Sequence, residues 1–450
     1  MAAKKTTALT AEERLEKALV PTDEQPYEVP KNWCWATIES VNHYKGVSID
    51  PSKEPQKVFE LYSVPSSADN YPEIVCGEDI GSSKQAVQKG DVLLCKINPR
   101  INRVWKVSKH TENTLLASSE WIVVRNESIN TDYLMWCLQS KYFREYMLSN
   151  VSGVGGSLMR AQPKFVQKYP IPIAPLAEQK RIVDTITELF ADLDKAAENA
   201  QTIIDNAESR KSAILHQAFT GKLTKQWRVE NGLDMDSWML HSYADLGKSK
   251  LGKMLDKVKN NGIPTPYIRN VNVRWFSFDL TDVATMLASE EERKSLSVKQ
   301  GDLFICEGGE PGRCAIWKDA DCEMIFQKAL HRFRPNVGVC SEYLGYTLHY
   351  MSLNGQLQEH FTGTTIKHLT GQALAKIKIN LPSYEEQQEI VRILDELLAD
   401  EQRIKEAAEE ALAKIELMKK SILADAFRGK LGTNDPSDQP ATELLKQILA

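Results

Sequence analysis

The sequence predicts an α+β protein built as an internal repeat. Two globular blocks of mixed strand and helix are each followed by a long helix, and the two helices pair as an antiparallel coiled coil. Three observations predict this. First, "PLAEQKRIVDTITELF", starting at Pro175, returns as "PSYEEQQEIVRILDELL", starting at Pro382. A shift of 208 places Glu178, Gln179 and Val183 on Glu386, Gln387 and Val391, and "AFTGKL" (218–223) on "AFRGKL" (426–431). Second, the similarity continues upstream in the same order: "KGDVLLC" (89–95) with "QGDLFIC" (300–306), and "DYLMWCL" (132–138) with "EYLGYTL" (342–348). Ordered blocks of this kind mark a duplicated unit. Third, both helical stretches carry apolar residues in alternating steps of four and three, the signature of a coiled coil.

The elements follow in chain order. Residues 1–25 are a polar extension with no apolar leader core. Residues 26–175 form the first block, in which "DVLLCKI" and "SEWIVVR" read as strands and 132–148 as a helix. Residues 176–221 form the central helix, with a seam through Ile182, Ile186, Leu189, Leu193, Ile203 and Ile214 and a C-terminal glycine, Gly221. Residues 222–383 form the second block, with strands "GDLFICE" and "ALHRFRP" and a helix over 341–357. Residues 384–430 repeat the helix, with a seam through Ile390, Leu394, Leu397, Ile404, Ile415, Met418 and Ile422 and the stop Gly429. Residues 431–450 are a tail. Polar side chains interrupt the seam at Arg210 and Glu401. An unbroken helix over 176–220 would be about 67 Å long. Antiparallel pairing then predicts an approximate two-fold axis, with the blocks held apart as on a ruler.

A net charge of −5 hides local basic character: residues 80–170 hold 13 basic and 6 acidic side chains. Polyanion binding depends on such local placement. Two loops per block gather glycine, hydroxyl and basic residues: "KINPRINRVWK" and "SGVGGSLMRAQPK", then "EGGEPGRCAIWK" and "TGTTIKHLTGQ". No apolar run approaches the ~20 residues of a membrane span. The eight cysteines contain no CxxC pair, which predicts reduced, buried thiols in a cytoplasmic protein.

Signals for catalysis are poor. "LGKSK" (246–250) has Ser242 where a phosphate-binding loop needs its first glycine. There is no HExxH, and "INPR" (97–100) lacks the aromatic residue and second proline of amino-methyltransferase motifs. The sequence offers no defensible nucleophile, base, cofactor cradle or metal cluster.

The duplicated "PLAEQKRIV…AFTGKL" and "PSYEEQQEIV…AFRGKL" blocks, with "QGDLFICEGGEPGR" and "GTTIKHLTGQALAKIKINLP", resemble the specificity subunits of Type I restriction–modification enzymes. The resemblance covers about 29–431. It implies that each block is a target recognition domain reading one half of an asymmetric, bipartite double-stranded DNA target. The helices would space the halves and dock two modification subunits, which carry S-adenosylmethionine and methylate adenine. Restriction subunits using ATP and Mg²⁺ would join the full complex, and this chain would hold no active site. By position, the DNA-contacting candidates are Arg100, Arg103, Lys106, Ser157, Arg160, Gln162 and Lys164 in the first block. In the second they are Arg313, Lys318, Gln327, Lys328, Thr364, Thr365 and Lys367. Bases and phosphates are not assigned among them. A second reading, a scaffold with two protein-binding modules on a coiled coil, leaves the basic 80–170 segment without a purpose.

Overall fold

A computed structural model describes residues 10–152, 159–256 and 260–450. The chain forms two compact units, Met1–Asn199 with Ala411–Ala450, and Ala200–Glu410. The first is organised around the antiparallel strands Val104–Lys106, Val92–Cys95 and Trp121–Val124. The central and last of these are buried along their whole length, so both faces are covered. A five-stranded sheet adjoins them, in which Val58–Tyr62 runs parallel to Thr114–Ala117. The second unit repeats the plan. Cys314–Ile316, Leu303–Cys306 and Leu330–Pro335 are antiparallel, and Gly247–Leu251 extends the sheet as an edge strand. A second sheet again contains a parallel pair, Ile263–Ile268 with Ile325–Phe326. In each unit a short ribbon closes the block just before its long helix: Cys34–Thr37 with Pro170–Ile173, and Met239–Ser242 with Lys378–Leu381.

The helix expected over 132–148 is two helices, Thr131–Gln139 and Lys141–Ser149, meeting at Ser140, which caps the second. The helix expected over 341–357 ends at Leu353, and a short 3₁₀ turn, Gln356–His360, follows.

The long helices run antiparallel within each unit. In the first, Arg181 donates to the Thr433 carbonyl at 2.9 Å, while Asp194, farther along, pairs with Lys419. In the second, Arg210 pairs with Glu401 at 2.8 Å and Thr224 donates to Glu386 at 2.7 Å. The two polar interruptions of the seam therefore meet each other. Each helix stops at a left-handed glycine, Gly221 (φ 72°) and Gly429 (φ 67°). Lys222 N–H reaches back to the Gln217 carbonyl and Lys430 N–H to Asp425, the six-to-one bond of a Schellman cap.

Two further expectations need correction. The first long helix is interrupted: Leu176–Asp205 and Ala207–Phe219 flank Asn206, whose side-chain amide donates to the Thr202 carbonyl at 2.9 Å. The second is unbroken over the 43 residues Tyr384–Ala426. The seam is also offset. Ile182, Ile186, Ile390, Leu394 and Ile415 are buried, and Leu193, Ile214, Leu397 and Ile422 half-buried. Leu189, Ile203, Ile404 and Met418 are instead 38%, 37%, 46% and 52% exposed. The covered stripe on the first helix passes through Phe190, Ala197, Ala200, Ile204, Ala207 and Leu215. Phe190, Ala197 and Ile204 step by seven, as do Ala200 and Ala207, so the heptad spacing holds through them, with Leu189 and Ile203 each one residue short of the covered position.

The N-terminal extension and the tail, which the sequence sets apart from the repeats, are built into the first unit. Arg14 donates to the Leu449 carbonyl at 2.8 Å, and the helix Ala441–Leu449 buries Leu444, Leu445 and Ile448 in the unit's core.

Candidate nucleic-acid interface

In both units the two candidate loops lie side by side. In the first, Ile97 bridges Arg160, Asn98 N–H donates to the Met159 carbonyl at 2.8 Å, and Ala161 N–H to Lys96. In the second, Leu369 N–H donates to the Glu307 carbonyl at 2.8 Å. A Cβ on Gly308 would lie 3.1 Å from the His368 ring, so a small residue lets these loops touch. Gly363, at φ +92°, turns the tip of the second loop; a Cβ there would meet the Ile366 carbonyl at 2.2 Å. Behind it, the buried His331 ring contacts the Leu369 carbonyl at 3.0 Å, and burial lowers its pKa below the usual imidazole value. The described parts of each pair of loops thus form a single surface, fastened to the strand array beneath.

The predicted residues divide by what they touch. Arg100, Arg160 and Lys164 are exposed in the first unit, with Arg160 3.3 Å from Glu120 and Lys164 4.9 Å from the Phe165 ring. Lys318, Lys328, Thr364, Thr365 and Lys367 are exposed in the second. Arg103, Gln162 and Gln327 are half-buried. Two cations have structural partners. Lys106 pairs with Asp132 at the start of the helix Thr131–Gln139. Arg313 donates to Glu310 at 2.8 Å and to the Asn270 carbonyl at 3.0 Å, bracing its own loop. Ser157 lies outside the described residues.

Sequence reasoning also passed over Lys248 and Lys250, both exposed and alternating along the edge strand Gly247–Leu251. Their spacing of two, which puts both on one face, was the available signal. Among the described residues, no group of three or more His, Cys, Asp or Glu is placed to hold a metal ion, and no helix is long and apolar enough to cross a membrane.

A family model described as "Type I restriction modification DNA specificity domain" matches residues 30–202 and again 235–414. The chain belongs to this family. Its similarity extends to the specificity subunit of the Type I restriction enzyme EcoKI of Escherichia coli strain K12, at 27% identity over 66% of this chain and 67% of that protein. The EcoDI specificity subunit of Escherichia coli is 23% identical over 86% of this chain and 90% of its own length. The fold matches the crystal structure of the HsdS subunit from Thermoanaerobacter tengcongensis, with a TM-score of 0.66 at 20% identity, over 91% of this chain and all of that one. A further structure, from work on complex assembly and conformational transition of the type I R-M system, aligns with a TM-score of 0.68 at 20% identity, over 90% of this chain and all of that one.

Within each specificity domain, the repeated motifs are its joints. The aspartate of "KGD" and "QGD" is buried in both. Asp91 takes two bonds of 2.7 Å from Arg125, which hold that guanidinium's pKa above its usual value. Asp302 takes bonds of 2.5 and 3.0 Å from Arg334. The Glu-Gln pair plugs each long helix into its domain. Gln179 accepts from Asn130 N–H and donates to the Ala174 carbonyl, both at 2.9 Å. Gln387 accepts from Cys340 N–H at 2.8 Å and donates to the Pro382 carbonyl at 2.9 Å.

Proposed function

We propose that this chain reads double-stranded DNA for a Type I restriction–modification complex, each specificity domain contacting one half of a bipartite target through its paired loops. One observation carries the reading: equivalent domains hold equivalent loop pairs that present different side chains. Arg100, Arg160 and Lys164 face solvent in one, and Lys318, Thr364, Thr365 and Lys367 in the other. Unequal readers imply unequal half-sites. Arginine and lysine supply phosphate affinity and, where they reach a base edge, about 1–3 kcal/mol of discrimination.

The antiparallel helices set the gap between half-sites and dock two modification subunits. Exposed Leu189, Ile203, Ile404, Leu417 and Met418 give those subunits apolar footholds. S-adenosylmethionine and adenine methylation belong to the modification subunits, and ATP and Mg²⁺ to restriction subunits; this chain contributes recognition and no chemical step. The test is a gap measurement. Four residues inserted into each long helix, after Ala200 and after Ala411, add about 6 Å, nearly two base-pair steps of ~3.4 Å. Methylation-sensitive sequencing should then show a wider gap between unchanged half-sites. Altered half-sites with an unchanged gap would overturn the ruler, and binding indifferent to DNA sequence would favour a protein scaffold.

A further inference from the structure

The first unit contains a cationic pocket of about 540 Å³ beside the recognition loop that carries Arg100. It lies between the loop carrying Arg100, the paired helices Thr131–Gln139 and Lys141–Ser149, and the end of the second long helix. Arg100, Lys141, Arg144 and Lys420 line it, opposed by one carboxylate, Glu145, which sits 3.7 Å from Lys141. Arg100, Lys141 and Lys420 are exposed, so the pocket opens to solvent. Arg144 is different: its Nη1 is fully buried and has no hydrogen-bond partner. A guanidinium donor withdrawn from water without an acceptor is costly. Elsewhere in this unit the half-buried guanidinium of Arg125 is satisfied by both oxygens of Asp91. No carboxylate of the described residues pairs with Arg144, so its charge adds to that of the three exposed cations.

We propose that this pocket binds a backbone phosphate of the DNA held by the adjacent recognition loops. The inference rests on the DNA-reading function above. A guanidinium fork flanked by lysines suits phosphate oxygens. Arg100 ties the pocket to the reading surface, because Ile97 of the same loop bridges Arg160. The charges of this pocket are not repeated at the matching positions of the second domain. Aligning "DYLMWCL" with "EYLGYTL" sets Lys141 and Arg144 against Met351 and Asn354, and the shift of 208 sets Lys420 against Ser212. Three of the pocket's four cations are therefore absent from the matching positions of the second domain.

The experiment uses the complex of this chain with its modification subunits, and duplexes carrying either the target found by methylation sequencing or a scrambled version. Arg144→Gln, and separately the double variant Lys141→Gln/Lys420→Gln, are titrated across salt concentrations. The slope of log K against log salt should shrink by about 0.9 for each phosphate that is no longer neutralised. Target and scrambled duplexes should weaken by the same factor, leaving their ratio unchanged. Ethylation interference should disappear at one position beside the half-site read by the first domain. Because the double variant changes only exposed side chains, it tests the pocket even if Arg144→Gln disturbs packing. Unchanged slopes and ethylation pattern in both variants, with target preference intact, would overturn the pocket and leave the DNA-reading function standing. A wild-type complex that does not distinguish target from scrambled DNA would overturn that function and the pocket with it.

Discussion

The two long helices enter their domains on the same buried glutamate, yet the two glutamates are satisfied differently. Glu178 accepts from Trp33 at 2.7 Å and from Asn434 at 2.8 Å. Glu386 accepts from Trp238 at 3.0 Å, from Thr224 at 2.7 Å and from Arg228 at 2.5 Å. The tryptophan comes from the glutamate's own domain. The remaining donors come from the segment following the other long helix: Thr433 and Asn434 for Glu178, Thr224 and Arg228 for Glu386. This exchange shows what the duplication preserved. It kept the demand for donors at one point and left their chemistry free, so that neutral groups serve one end and a guanidinium the other. It also gives the tail a role: Asn434 completes the first joint, and Asp438 adds a pair with Arg181.

The comparison is most exposed at the charged joint. Glu386→Ala strands Arg228, whose side chain is only 4% exposed, and breaking a buried pair on one side costs about 3–5 kcal/mol. Glu178→Ala removes hydrogen bonds to a charged acceptor but strands no cation, and should cost about 1.5–3 kcal/mol. Hydrogen exchange, read separately on the amides of the two ribbons, distinguishes the joints; equal losses would mean that the buried guanidinium adds nothing to the second joint. The glutamines should behave alike. Gln179→Leu and Gln387→Leu each leave a backbone N–H unsatisfied, Asn130 in one case and Cys340 in the other, for about 1–3 kcal/mol apiece. A large difference between them would mean that the two helix starts are not equivalent.

The duplicated architecture was legible because both copies lie in one chain, so a single shift aligned Glu178 with Glu386 and Gly221 with Gly429. The strands "VLLC", "WIVV" and "LFIC" announced themselves by unbroken apolar runs, which are buried throughout. What stayed hidden depended on contacts far apart in sequence. Nothing local links Glu178 to Asn434, so the Glu-Gln pair was visible as a motif and silent about its role. The same blindness affected the cations. Lys106 and Arg313 share their loop composition with Lys318 and Lys367, and only the positions of Asp132, Glu310 and the Asn270 carbonyl separate clamps from exposed candidates. The seam misled for a different reason: heptad spacing alone does not fix which of two neighbouring positions faces the partner helix, and Phe190 and Ile204 are covered where Leu189 and Ile203 were expected.

Acid should separate the two domains by a smaller margin. Extending the alignment of "DYLMWCL" and "EYLGYTL" by one residue sets Gln139 against His349. His349 packs against the rings of Trp275 and Phe276, and burial pushes its pKa down to about 4; Glu208, Lys211 and Glu310 are the charged groups that act on it. An unfolded histidine takes up its proton near pH 6.5. Between pH 6.5 and about 4 the unfolded state therefore binds more protons, and stability is present above that window and lost as pH falls through it. Discounted for partial exposure, the loss at pH 5 is about 1 kcal/mol, confined to the second domain. His349→Gln should flatten the pH dependence there, leaving a remainder from His331, which burial shifts in the same direction. The first domain, with Gln139 in place, gives the control within the same molecule.

The smallest effect lies where the two long helices differ most visibly. The first is interrupted at Asn206, and the shift of 208 sets that position against Lys414, inside an unbroken helix. Asparagine lowers helix propensity because its side chain competes for backbone groups, here through the Asn206 amide on the Thr202 carbonyl. Asn206→Ala removes that competition and should stabilise the helix by about 0.5 kcal/mol, with a small gain in ellipticity at 222 nm. A second group acts at the same turn: Arg210, paired with Glu401, also donates to the Ile203 carbonyl at 3.1 Å. If Asn206→Ala leaves helicity and stability unchanged, Arg210 holds the turn open, and Arg210→Leu in the Asn206→Ala background should then close it. A closed turn in the single variant assigns the interruption to asparagine alone and makes the first helix, one side chain aside, the equal of the second.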